Sequence, residues 1–218
     1  MCILVVNKGK VISKDNMRSM WRQNPHGVGI MFTRKNQSIK LVEKWKSNKI
    51  TDLYKFEAFY DNIYMRFFED ETVENLCVHF RYRTDGDICI DNTHPYEFKD
   101  YMGQSVCAMH NGVMNDKYRG YSKLQIFKTS DTYNFVHEYL DSNPNVYTFD
   151  SVSDREALAI ERELGDSKLV TLTSNGVLCI FNYELGRIYQ DNWYSNMRWT
   201  GLGNIGAEPK PQWTELIK

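Results

Sequence analysis

Apolar positions along this chain recur with two different spacings, and the change between them marks out most of its elements. CILVVN at residues 2–7 is a short β-rich run, and starting on the second residue it is read as leaving no room for a disordered tail. GVGIMFT (27–33) and SIKLVEKW (38–45) read as two further strands, with RKNQ (34–37) as the polar turn between them. Residues 50–75 mix aromatics and acids without a clean period and are read as a helix. NLCVHFRY (75–82) and QSVCAMHNGVM (104–114) are strand-like, and each ends in a polar, glycine-bearing corner.

Two segments switch to helical spacing. In SDTYNFVHEYL (130–140), Phe135, Val136, Tyr139 and Leu140 make one apolar face, and Ser130 or Asp131 suits the cap. In SVSDREALAIERELG (151–165), Ser153 and Glu156 have capping-box spacing and Gly165 is a natural stop. KLVTLTSNGVLCIFN (168–182) then reads as a hairpin, with Asn175 and Gly176 as the two positive-φ residues of a type I′ turn. The tail from Gly201 carries Gly, Pro and Trp and is expected to wrap the surface. No internal repeat, low-complexity tract or linker interrupts the order. Many strands, few helices and mixed succession predict one α+β domain over residues 1–218.

Composition narrows the class. The chain has 218 residues, 42% hydrophobic and 14% aromatic, enough for a sizeable core. A formal net charge of −1 marks no nucleic-acid or anionic-membrane surface. No apolar run has the length of a membrane span, and CILVV lacks the length and basic lead of a signal-peptide core. A soluble, cytoplasmic protein is expected. The five cysteines, Cys2, Cys77, Cys89, Cys107 and Cys179, form no CxxC pair, so disulfide frameworks and zinc sites are not expected. Cys77, Cys107 and Cys179 sit in apolar runs and read as core. No nucleotide-binding loop is present, and no metal or cofactor is expected.

Cys2 differs from the other four. Methionine is commonly trimmed before a small residue, which would make Cys2 the terminus. One residue then carries a thiol nucleophile and an α-amine of pKa about 8 that can serve as its base. Taken alone, Cys2 also reads as the mere start of a strand. Asn111-Gly112 in AMHNGVMND would set a side-chain amide beside an open backbone N–H, the donor pair of an oxyanion hole. Taken alone, it is a hairpin turn. In CVHFRYRTDG (77–86) a strand runs straight into arginines, an aspartate and a glycine, which core filling does not require. Arg81 suits an α-carboxylate and Asp131 an α-ammonium, though a strand-end salt bridge and a helix cap are the plainer readings of each. His79 and His110, inside strand-like runs, read first as satisfied core histidines, and neither is needed as the base.

The conjunction carries more than its parts. Cys2, then His79, Arg81, Tyr82, Thr84 and Gly86, then Asn92, His94 and Pro95, then His110, Asn111 and Gly112, then Ser130, Asp131 and Thr132 occur in one order. This set resembles the class II glutamine amidotransferases of the N-terminal nucleophile hydrolase superfamily. HGVGI from His26 resembles a glycine-rich early strand of these domains, and the resemblance runs from Cys2 to about Asn182. Arg83 and Asp85 depart from residues common in the family, which bears on closure of the loop. The tyrosine in SDTYN also stands near where many members carry a glutamate.

The resemblance implies a four-layer αββα sandwich with two stacked antiparallel sheets. It implies that Cys2 attacks the side-chain amide of L-glutamine, with Asn111 and Gly112 as oxyanion donors. Arg81, Asp131, Tyr82, Thr84 and His110 would bind the substrate, and His79, Asp85, Gly86, Asn92 and His94 would support the loop. No acceptor domain is recognised in the chain, so the ammonia is expected to pass to a synthase or ligase on another chain. A cysteine-type amidohydrolase acting on a different amide and a non-catalytic glutamine-binding module remain as alternatives.

Overall fold

The computed structural model describes residues 1–7, 11–34, 37–45, 50–68, 73–118, 128–142 and 152–200. The strands are β1 (Ile3–Asn7), β2 (Val28–Arg34), β3 (Gln37–Trp45), β4 (Val73–Phe80), β5 (Tyr96–Lys99), β6 (Ser105–Asn111), β7 (Lys168–Thr173), β8 (Leu178–Phe181), β9 (Arg187–Tyr189) and β10 (Asn192–Tyr194). The helices are α1 (Lys14–Gln23), α2 (Ile50–Phe68), α3 (Asp131–Asn134, continuing as a π-helical stretch Phe135–Leu140) and α4 (Asp154–Leu164). β3-β2-β4-β1-β10-β9 form one sheet and β5-β6-β7-β8 another, and every pairing is antiparallel.

The layering follows from the two-residue period of the strands. In β1, Ile3 and Val5 point to an outer core shared with Met17, Met20 and Trp21 of α1 and Leu53, Phe56 and Tyr60 of α2. Leu4 and Val6 point the other way, into the space between the sheets, where they meet Met31, Cys77, Met109, Val170, Leu172, Ile180 and Trp193. The second sheet repeats the arrangement. Cys107 and Met109 face inward, while Val106 and Ala108 face Phe135, Val136, Leu140, Ala157 and Ile160 beneath α3 and α4. The architecture is therefore α+β, two stacked antiparallel sheets between helical layers, as expected. Cys77, Cys107 and Cys179 are buried in it.

Local chemistry agrees with the sequence in some places and not in others. Ser153 accepts from Glu156 N while the Glu156 side chain returns to the Ser153 backbone, the reciprocal box that starts α4. Ser130, not Asp131, caps α3 by accepting from Tyr133 N at 3.1 Å. The helix read over 50–75 ends at Phe68, and β4 has begun by Val73, where a β-branched residue enters the central ladder against β2.

The β7–β8 turn is not type I′. Leu172 pairs with Leu178, and Thr173 N donates to Val177 O at 3.0 Å, which leaves the three-residue loop 174–176. Gly176 alone takes a positive φ, +93°, the arrangement of a turn closed by a glycine bulge. The two consecutive positive-φ residues stand elsewhere: Gln190 (+48°) and Asp191 (+57°) join β9 to β10 with no glycine. Two residues of the 34–37 turn, and the tail from 201, lie outside the described residues. Among the described residues, no helix is long and apolar enough to cross a membrane.

Candidate active site

β1 is paired on both sides, to β4 and to β10, so its first residues are fixed before any site chemistry is considered. Cys2, immediately before β1, is 9% exposed, and Met1 ahead of it is 42% exposed. The Cys2 carbonyl is held by two side-chain amides. Asn196 Nδ2 donates to it at 2.7 Å, and Asn111 Nδ2 donates to it as well. Asn111 Nδ2 also reaches Ser195 Oγ at 2.5 Å, and Leu4 N donates to that same oxygen at 2.8 Å. Asn196 Oδ1 accepts from Arg198 N at 3.2 Å, which sets the orientation of its amide. The thiol lies against the chain after β4: Tyr82 N donates to Sγ at 3.4 Å, and Sγ–H points to Tyr82 O at 3.5 Å. Burial raises the Cys2 pKa above its ordinary value, against the lowering effect of the Tyr82 N–H and of Arg81. The thiol is therefore protonated at neutral pH.

Arg81 continues the β2–β4 ladder, its N–H donating to Gly27 O at 2.8 Å and its carbonyl accepting from His26 N at 3.0 Å. Its guanidinium, 3% exposed, turns back on its own loop and donates to the carbonyls of Asp85 and Asp87, both at 3.0 Å. No carboxylate takes it, so it is not a strand-end salt bridge among the described residues. These bonds use two of its five donors, and Arg81 is among the residues lining the pocket. Asp131, 4% exposed, accepts from Met114 N at 2.9 Å and from Thr132 N at 2.7 Å. That anchors the corner after β6 to the start of α3.

Cys2, Arg81, Tyr82, Thr84, Asp85, His94, His110, Gly112 and Asp131 line one pocket. Its enclosed space is about 20 Å³, room for one water. That space is smaller than an amino acid. Asn111-Gly112 is not a hairpin turn. It ends β6, and Gly112 (φ +149°) abuts Ser167 so closely that a Cβ would run into that side chain.

The loop after β4 is fastened by contacts invisible in the sequence. Asp85 Oδ1 pairs with Lys128 Nζ at 2.6 Å, and Asp87 Oδ2 accepts from Lys128 N at 2.8 Å. Asn92 Nδ2 donates to Lys128 O at 2.7 Å while its Oδ1 accepts from Ser130 N at 2.9 Å. Gly86 (φ +70°) passes against the Ser130 backbone with no space for a Cβ. His26 Nδ1 accepts from Arg83 N at 2.8 Å, and its ring lies 5.1 Å from that of Tyr82.

Three histidines sit beneath and beside the pocket. His79 Nε2 lies 3.0 Å from His110 O, and a carbonyl only accepts, so Nε2 carries the proton. Burial drives the His79 pKa down to about 3, so the ring is neutral. Its Nδ1 must then accept from His94 Nδ1–H, 3.2 Å away. His79 is thus the satisfied core histidine the sequence suggested. His110 is only half so: Nδ1 bonds Thr132 Oγ1 at 2.8 Å, while buried Nε2 has no hydrogen-bond partner among the described residues. Burial lowers its pKa to about 4 against the raising effect of Asp131.

The sequence reading missed Ser195, Asn196 and Lys128. Ser195 and Asn196 follow β10, a strand of three residues, and no local pattern sets them apart. Among the described residues, no cluster of three or more His, Cys, Asp or Glu is placed to hold a metal ion.

The fold is a four-layer αββα sandwich, the architecture of the N-terminal nucleophile hydrolase fold. Among solved structures, the chain is similar to glutamine phosphoribosylpyrophosphate amidotransferase from B. subtilis in complex with ADP and GMP. The TM-score is 0.52 and the identity 16%, over 89% of this chain and 41% of that one. It is also similar to a structure described as the allosteric regulatory enzyme of purine biosynthesis, with TM-score 0.51 and 17% identity, over 89% and 41% of the two chains. The likeness is one of fold, and this chain spans about two fifths of the length of those proteins. No protein-family model and no curated protein matches it.

Proposed function

We propose that the chain is a glutaminase domain of the class II amidotransferase type, extending over residues 1–218 and acting in the cytoplasm. One observation carries the reading: Cys2 lines the same pocket as Arg81 and Asp131, and a cation and an anion beside a thiol suit the two ends of a free amino acid. The five free cysteines suit a reducing compartment.

Removal of Met1 frees the Cys2 α-amine, which takes the thiol proton. Sulfur attacks the glutamine side-chain amide. Gly112 N–H and Asn111 Nδ2 stabilise the oxyanion, and Asn111 turns to it by giving up its contact with Ser195 Oγ or the Cys2 carbonyl. Asn196 keeps that carbonyl in place meanwhile. The α-ammonium then protonates the departing ammonia, and water hydrolyses the γ-glutamyl thioester. Tyr82 and Thr84 close over the substrate, and the His110 Nε2 lone pair faces its amino group. His79, Asp85, Gly86, Asn92 and His94 hold the walls and the loop in position. Ammonia passes to an acceptor synthase or ligase on a separate chain. No cofactor, nucleic acid or membrane takes part.

The test is glutamate release from L-glutamine, with L-asparagine and N-acetyl-L-glutamine as controls. Glutamine alone should react. Asparagine is one methylene short, and N-acetylglutamine leaves Asp131 without its cation. Equal rates on N-acetylglutamine would remove Asp131 from substrate binding and point to a different amide.

A further inference from the structure

A second, larger cavity of about 550 Å³ adjoins the cysteine pocket. Gly112 belongs to the walls of both, and Met1 lines the larger one. Asp116, Arg162, Glu163 and Asp166 line it too, with Glu163 held by Lys117 at 2.6 Å and the Tyr118 hydroxyl at 3.0 Å. Its position follows from the chemistry. The Cys2 α-amine protonates the leaving nitrogen, so that nitrogen sits where Met1 is attached. Loss of Met1 therefore opens the leaving-group side of the thioester onto this cavity. Ammonia alone needs no space of that size, which falls in the range of small-molecule sites.

Resting on the glutaminase reading, we propose that this cavity seats a primary amine that accepts the γ-glutamyl group, so that the domain is also a γ-glutamyl transferase. The neutral amine nitrogen attacks the thioester carbonyl and a C–N bond forms. The C–S bond breaks, and sulfur keeps the electron pair. The proton lost by the amine returns through the Cys2 α-amine to the thiol. Nothing is oxidised or reduced, and the product is an N-substituted glutamine. By microscopic reversibility the same seat admits N-alkyl glutamine amides as substrates. Three carboxylates against Arg162 and the Lys117 ammonium leave an excess of negative charge, which favours an amine with a second positive charge at its far end.

The experiment gives the Met1-free protein L-glutamine with 1,4-diaminobutane or with methylamine, which reaches the thioester without filling the cavity. Glutamate and γ-glutamyl amide are both quantified. The ratio of amide to glutamate reports partition of the thioester, independently of how fast it forms. The expected result is a ratio that saturates with diaminobutane and exceeds that for methylamine. In Val113→Trp and Asp166→Trp it should fall roughly fivefold or more, with total turnover kept. A ratio linear in either amine and equal in all three proteins overturns the cavity's role while leaving the glutaminase intact. A protein that forms neither product overturns the glutaminase reading, and this inference with it.

Discussion

Lowering the pH should destabilise this fold through His79, by an amount its surroundings set. His79 is buried and doubly bonded, to His110 O and His94 Nδ1, and burial holds its pKa near 3 against an ordinary value of 6.5. The folded value is depressed, so between the two the unfolded chain binds the proton and the folded chain does not. Stability is then complete above pH ~6.5 and is lost as the pH falls toward 3. The loss is about 1.4 kcal/mol per unit, hence about 2 kcal/mol at pH ~5 and about 5 kcal/mol once both states are protonated. Urea unfolding at pH ~7.5 and ~5 measures it. His79→Gln can replace the Nε2 donor with an amide that does not titrate. Its stability at neutral pH will be lower, but its decline between the two pH values should be about 2 kcal/mol smaller than that of the wild type. Equal declines would show that His79 is protonated within the folded protein, and the tautomer chain through His94 would fall with that result.

Asn196→Ala removes one of two amides from the Cys2 carbonyl, and kcat for glutamine should drop about tenfold with KM unchanged, a loss on the scale of one hydrogen bond; a change in KM alone would place Asn196 outside the nucleophile's support. Asn111→Ala should cost on the order of 10²–10³ in kcat, read by steady-state kinetics. Lys128→Met releases the Asp85 carboxylate while the backbone bond to Asp87 stays, so KM for glutamine should rise severalfold as the loop loses its ion pair, whereas unchanged KM would mean that the ion pair is incidental. Gly29→Ala would drive a Cβ into the His94 carbonyl and should cost about 2 kcal/mol or more of stability in the same urea assay.

What the sequence revealed was mostly local. β1, α4 and the β7–β8 hairpin announce themselves through period, capping residues and turn residues close together in the chain. The turn type did not follow, because register decides it: the Leu172–Leu178 pairing leaves three loop residues, so Asn175 has no need of positive φ. β9 and β10 have three residues each, too few for a period, and their Gln190-Asp191 turn lacks the expected glycine. For the pocket, Cys2, Arg81, Tyr82, Thr84, Asp85, His94, His110, Gly112 and Asp131 could be named in advance, and they line one cavity. Their supports could not. Asn196 meets the Cys2 carbonyl from 194 residues away, and Lys128 fastens the loop through an ion pair and its own backbone. Such contacts are made by tertiary packing and leave no trace in spacing.

The central claim is that Cys2, freed of Met1, carries the γ-glutamyl group. Acid-quenching the protein during turnover of L-glutamine and reading peptide masses tests it most directly. The account predicts a hydroxylamine-labile γ-glutamyl adduct on a peptide that begins at Cys2, and none in Cys2→Ala. An adduct on another cysteine, or turnover by protein that still carries Met1, would contradict it.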